Sequence, residues 1–250
     1  MATKKVTPAA KPGTAVAVKG GSSVISIQAA LQAQVAALSE KTAPAGGNYI
    51  RLSPGKFTLP DGTTTPGPLE LVIVEFASAN KFWPGNYDPK NIESPVCFAL
   101  GTNPLKMVPS NNSPEKQSDD CQSCPNNQYG SAGDGKACKN SRVLAVLPPD
   151  ADADTPMWLL ATSPTANKGF DGYVAGVART FQMPPIGVVT SVSLDPSTTY
   201  AKLVFGNPAV NEHLDVHFAR QEEARAMLAI EPEVSAAKPA KAGKKVPARR

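Results

Sequence analysis

Four cysteines, Cys97, Cys121, Cys124 and Cys138, fall within one stretch of the chain, spaced Cys-x23-Cys-x2-Cys-x13-Cys. Two thiolates separated by two residues chelate one ion through a tight turn. Zn²⁺ takes four soft ligands in a tetrahedron at ~2.3 Å, and an all-cysteine set leaves no position open for water. Such a site is structural and not catalytic, and its binding free energy is on the order of 10 kcal/mol. The chain here needs an ordering element. Residues 101 to 141 contain almost no aliphatic run, and a loop of that length inside a domain is uncommon unless something fixes it. An iron–sulfur cluster, a disulfide in an oxidising setting and four unrelated buried thiols are the other readings. Cys121 and Cys124 are too close to pair readily with each other. A thioredoxin-like motif would need an adjacent strand-to-helix unit, which is absent.

Aromatic and basic residues flank the cysteines. Lys81, Phe82, Trp83 and Tyr87 cluster in a segment otherwise made of turn residues, and Tyr129, Lys136, Lys139 and Arg142 lie in or beside the cysteine stretch. Exposed aromatics beside cations form a stacking platform for bases, each contact contributing ~1–3 kcal/mol. The bland alternative is that loop aromatics fold back as core; Trp158, in a strand pattern, reads that way. His213 and His217 are spaced i, i+4 but have no third ligand nearby, which reads as a helix face. Asp119 with Asp120, and Asp150, Asp152 and Asp154, sit in turn segments with nothing apolar to raise a pKa. No nucleophile elbow, P-loop or dinucleotide fingerprint occurs, so no enzyme activity is expected.

These residues must be positioned by a β-rich frame. The 25 prolines and 19 glycines argue for turns and short strands over a helical bundle. Leu69 to Ala77 is the clearest strand, apolar on both faces. Further strands are expected at Ser94 to Leu100, Arg142 to Leu147, Met157 to Ala161, Ile186 to Leu194 and Tyr200 to Phe205, with a bent hairpin over Tyr49 to Leu59. Helices are expected from Ser22 onward (Val24, Ile27, Leu31, Val35, Leu38), after Ser163-Pro164-Thr165 (Phe170, Tyr173, Val174, Val177), and over 212–230. The fold class is α+β or mainly β, and a small barrel with an insertion over about 97–141 fits. One domain is expected over 22–231, between a disordered basic arm (1–21) and a disordered basic tail (232–250).

The net charge of +4 divides unevenly. Residues 1–20 carry four lysines and residues 234–250 carry six Lys or Arg, with no acids in either, so 21–233 hold 4 − 10 = −6. Such a body is not a bulk polycation; any nucleic acid would bind a local groove, with the tails helping electrostatically. No run approaches the ~18 apolar residues of a membrane span. The N-terminus lacks the apolar core of a secretory signal, so a reducing cytoplasm is expected.

The runs Tyr87-Asp-Pro-Lys-Asn, Ser94-Pro-Val-Cys-Phe-Ala-Leu-Gly101, Cys121-Gln-Ser-Cys-Pro-Asn-Asn-Gln-Tyr-Gly-Ser131 and Gly135-Lys-Ala-Cys-Lys-Asn-Ser-Arg142 resemble a family of tailed-bacteriophage proteins over roughly residues 70 to 205. Some members of that family are described as single-stranded DNA-binding proteins. A looser similarity is to phage single-stranded DNA-binding proteins that carry zinc in an insertion of an oligonucleotide-binding (OB) barrel. Their ligands usually mix His with Cys, and they commonly end in an acidic tail, whereas this chain has four cysteines and a basic tail. The resemblance implies an OB-like barrel with one structural Zn²⁺ on Cys97, Cys121, Cys124 and Cys138. It implies sequence-independent binding of single-stranded DNA in the cytoplasm of an infected host, for replication or recombination and alongside phage proteins of those processes. The rival expectation is a zinc-stapled structural or protein-interaction module without DNA binding.

Overall fold

The computed structural model describes residues 47–85 and 93–234. The basic arm, the helix expected from Ser22, Tyr87 and the tail beyond Val234 lie outside the described residues.

The frame is built around one strand. The β-branched run that opens at Leu69 extends through Phe82 as β4 (Leu69–Phe82), 14 residues long. One side of it pairs with β6 (Lys139–Leu147) from Val72 to Lys81. Its other side is shared: Leu69 to Val72 pair with β8 (Val188–Leu194), and Ser78 to Phe82 pair with β5 (Cys97–Gly101). β7 (Trp158–Ala161) lies outside β6, and β9 (Leu203–Val210) lies outside β8; all these pairings are antiparallel. A separate small sheet holds β1 (Arg51–Ser53), β2 (Lys56–Thr58) and β3 (Thr64–Thr65). Its first turn uses Gly55 at φ +73°, a left-handed conformation that glycine adopts without a Cβ clash.

This architecture is α+β, and no closed barrel is found among the described residues. Among the described residues β7 and β9 end the sheet without meeting. The reason is burial on both faces. A small barrel alternates an apolar interior with a wetter exterior. Here, by contrast, Val72, Val74, Ala77, Val143, Ala145 and Leu147 pack on one face with Ala224 and Leu228, while Leu71, Ile73, Leu144, Val146, Leu160 and Val192 pack on the other with Phe57 and Phe170. A β-bulge between Ile73 and Glu75 shifts the register, so that Glu75 comes to meet Arg225.

Helix α1 (Asn167–Phe181) covers the second face and buries Phe170 and Val177, as its periodicity predicts. The Phe170 ring stands edge-on to Phe76 and Phe205, at 5.1 and 5.0 Å between centroids. The helix expected over 212–230 is instead two, α2 (Leu214–Ala219) and α3 (Gln221–Leu228). The break is at Arg220, whose guanidinium donates to the carbonyls of Asp152 and Thr155 and pairs with Glu223. His217 is fully buried between Asn211 Nδ2 and the Pro148 carbonyl, both at 3.1 Å, which makes it a structural histidine. The turn between β8 and β9 is built by Asp195. Its carboxylate accepts from Ser197 and Lys202, which together hold its pKa down at about 2. Among the described residues no helix is long and apolar enough to cross a membrane.

Candidate metal centre and the surface around it

β5 ends at Gly101 and β6 begins at Lys139. The chain between them forms no strand and only one short turn of 3-10 helix, Pro125–Asn127. Hydrogen bonds lay it over the end of the sheet. Ser110 and Glu115 donate their N–H groups to the Phe98 and Val96 carbonyls, and Ser113 Oγ bridges both backbone groups of Phe98. Asp120 then shapes the cysteine turn by accepting from the Ser123 hydroxyl and from the N–H groups of Gln122 and Ser123, the latter two at 2.8 Å; those bonds, the hydroxyl's foremost, hold its carboxyl below the usual range.

This path brings the cysteines together. Cys97 opens β5 opposite Phe82, and Cys138 immediately precedes β6. Cys121 donates its N–H to Met107 O, and Cys138 donates to Asn126 O. Asn127 Nδ2 donates to the Cys121 carbonyl at 2.6 Å. All four thiols are buried, none is in a disulfide, and all four line one cavity of about 10 Å³. That volume admits about one water-sized occupant. Asn80, Phe82, Phe98 and Ala99 complete its wall from β4 and β5.

The electrostatics of this cavity oppose free thiolates. Burial, and then the neighbouring cysteines, push Cys138 up to about 12. Burial also raises Cys121, while the neighbouring Asn80 side chain draws it back. All four cysteines line the cavity, yet among the described residues no three His, Cys, Asp or Glu side chains stand as a metal-ligand set. Ligation by these thiols requires deprotonation, which a bound cation drives.

Four thiols are a soft donor set of the kind zinc takes. Four soft sulfurs are present in a space of ionic size, with no oxygen ligand among them. Asn80 supplies the second observation. It is 4% exposed, and its Oδ1 accepts from Asn140 Nδ2 at 2.5 Å. Its own Nδ2 is buried without a hydrogen-bond partner, yet Cys121 is the group its side chain acts on. A neutral thiol is a weak acceptor for that N–H and a thiolate a strong one. Asn80, Asn127 and Asn140 were not legible as part of a site. Only the presence of asparagine in a strand, where it is depleted, signals Asn80.

The expected DNA-contacting residues divide. Tyr129 is 81% exposed, and Lys136 Nζ lies 5.1 Å from its ring centre. Lys139 Nζ donates to the Lys136 carbonyl at 3.0 Å. Lys81 stands directly opposite Lys139 in the β4–β6 ladder, half-buried, with its pKa lowered by that burial. These four are brought to one end of the sheet. Phe82 belongs instead to the cavity wall, because the strand continues through it rather than ending in a loop. Trp83 is half-buried, and its indole N–H is taken by the Glu93 carbonyl at 2.9 Å. Arg142 is 11% exposed and forks onto Asp171 at 3.1 and 2.8 Å, tying β6 to α1. Its guanidinium is committed to this ion pair.

Compared with known proteins, the chain matches no family model, no curated protein and no solved structure.

Proposed function

We propose that Cys97, Cys121, Cys124 and Cys138 hold one structural Zn²⁺, and that the module so ordered presents Tyr129, Lys136, Lys139 and Lys81 to single-stranded DNA. The convergence of four buried thiols on a cavity of about 10 Å³ supports the metal. When bound, zinc supplies a four-way cross-link and no reactive position. Asn80 orients and stabilises the Cys121 sulfur, and Asn127 holds the peptide that carries it.

The observation that carries the DNA reading is the exposed Tyr129–Lys136 pair beside the Lys81–Lys139 ladder pair. Like charges directly opposite each other in a sheet are destabilising, and an anion between them removes that cost. A phosphate at Lys81 and Lys139, with a base on Tyr129, satisfies both features without reading sequence. The phage resemblance supplies the setting: a non-enzymatic role in replication or recombination in the cytoplasm of the infected host. Fluorescence anisotropy of a labelled oligothymidine tests this, and no binding at ~50 mM salt overturns it.

The second reading is a zinc-stapled protein-interaction module. The net charge of −6 over 21–233 and the commitment of Arg142 to Asp171 favour it. The two separate on one result. If Lys136→Gln and Lys139→Gln together leave oligonucleotide affinity unchanged while loss of the tail lysines abolishes it, the body does not bind DNA and the second reading stands.

A further inference from the structure

Away from the cysteines, an open groove of about 670 Å³ runs between α3, the end of β5 and residues 108–112. Sites that take ligands typically measure roughly 300–1,000 Å³. The floor of this groove is apolar, with Ala77, Leu100, Val108 and Leu228. Val108 is 60% exposed, so part of that floor is uncovered. The rim is acidic. Glu75 and Glu231 line it, and Arg225 is the only basic side chain among the lining residues. Arg225 is already engaged by Glu75 at 3.2 Å and by Glu222. The groove lining therefore holds two carboxylates, Glu75 and Glu231, beside one guanidinium whose charge is already matched. The Glu231 carboxylate accepts from Ser110 Oγ and Asn112 Nδ2 and keeps its negative charge there.

The chain passes the groove at Ala229 and Glu231. After Glu231, both Pro232 and Val234 remain half-buried. Residues 235–250 follow, with six Lys or Arg, no acid, and Ala, Pro and Val between the charges. We propose that the groove is the docking site of this chain's own basic segment, 235–250. Its cations complement the carboxylate rim, and its small apolar residues suit the floor. Attachment so close to the groove gives an effective concentration in the mM range, so a contact of weak intrinsic affinity is mostly formed. The contact is electrostatic and screened by salt, and any polyanion that takes the lysines releases it. The segment thereby reports on, and competes with, anionic ligands whatever the body binds.

The test uses the full chain without nucleic acid. Zero-length carbodiimide coupling at low salt, mapped by mass spectrometry, is expected to join Lys238, Lys241, Lys244 or Lys245 to Glu75, Glu222 or Glu231, with the yield falling several-fold in ~0.5 M salt. Hydrogen exchange over 108–112 and 225–231 is expected to quicken several-fold when those four lysines become glutamine, a change that alters none of the groove's lining residues. Links spread evenly to Asp119, Asp120 and Asp150–Asp154 overturn the proposal, as does unchanged exchange in the variant. Links whose yield rises with protein concentration overturn it too, because the occupant is then another chain.

Discussion

The β4–β6 ladder and the chain from Thr102 to Cys138 share one end of the same sheet, yet they are ordered by different physics. The ladder is held by apolar burial: Val72, Leu144, Ala145, Val146 and Leu147 have no exposed surface. The excursion offers little to bury. Met107 and Cys121 form its only apolar cluster, with Ala99 of β5. It is placed instead by side-chain-to-backbone hydrogen bonds, such as those of Ser113, Asp120 and Asn127, around a cavity that four thiols line. Hydrophobic order is distributed and survives the loss of one contact. Order that hangs on one cavity is concentrated there and is lost as a unit.

The largest effect expected from this contrast concerns the metal. Stripping zinc with a strong chelator is expected to collapse hydrogen-exchange protection across 107–138 while β4, β6 and β8 keep theirs. The binding energy removed is on the order of 10 kcal/mol and local to the excursion. Equal protection with and without metal defeats the zinc reading. The converse break is Phe170→Ala, which removes a fully buried ring and its two edge-on partners. It should cost ~3–5 kcal/mol and lower the melting temperature of both regions together.

Smaller changes sharpen the comparison. Asn80→Asp places an acceptor where Cys121 needs a donor. Zinc affinity, measured by chelator competition, should fall ~10–100-fold with the sheet intact. An unchanged affinity removes Asn80 from the site. Tyr129→Ala should leave the melting temperature unmoved, since the side chain is 81% exposed, and weaken oligonucleotide binding by ~1–3 kcal/mol. Arg142→Ala is expected to do the reverse, losing stability and sparing affinity.

The smallest effect is electrostatic and lies in the frame. The folded-state pKa of Asp195, about 2, is below its unfolded value of ~3.9. Its contribution is therefore fully present above pH ~4 and is lost as pH falls toward 2. Melting curves between those limits should flatten in Asp195→Asn, and identical slopes in both proteins would remove this turn from the acid response.

The sequence made the material of both regions legible but not their limits. Leu69 to Ala77 declares a strand through its apolar run. Ser78 to Phe82 continues it silently, because Asn80 and Phe82 face a cavity rather than an apolar core. Cysteine spacing pointed to convergence, since few other arrangements make use of a Cys-x2-Cys turn inside such a polar stretch. Closure of the sheet was not legible: strands apolar on both faces suit any layered arrangement, and coverage by α1 and α3 is a tertiary fact. The broken C-terminal helix was hidden for a similar reason. Its apolar face repeats smoothly through Arg220, whose anchoring to the carbonyls of Asp152 and Thr155 has no local signature.

β5 and β6 lie on opposite sides of β4 where the excursion begins and ends. Cys97 and Cys138 are thus separated by two strand spacings, ~10 Å, on strands that share no hydrogen bond with each other. A tie between them works like a cross-brace over a beam, loading β4 in compression rather than adding to its ladder. Both strands run antiparallel to β4 and are therefore parallel to each other, so the chain from Gly101, beside Ser78, must return across a face of the sheet to Lys139, beside Lys81. Such a crossover takes on the order of a dozen residues or more, and the excursion supplies it.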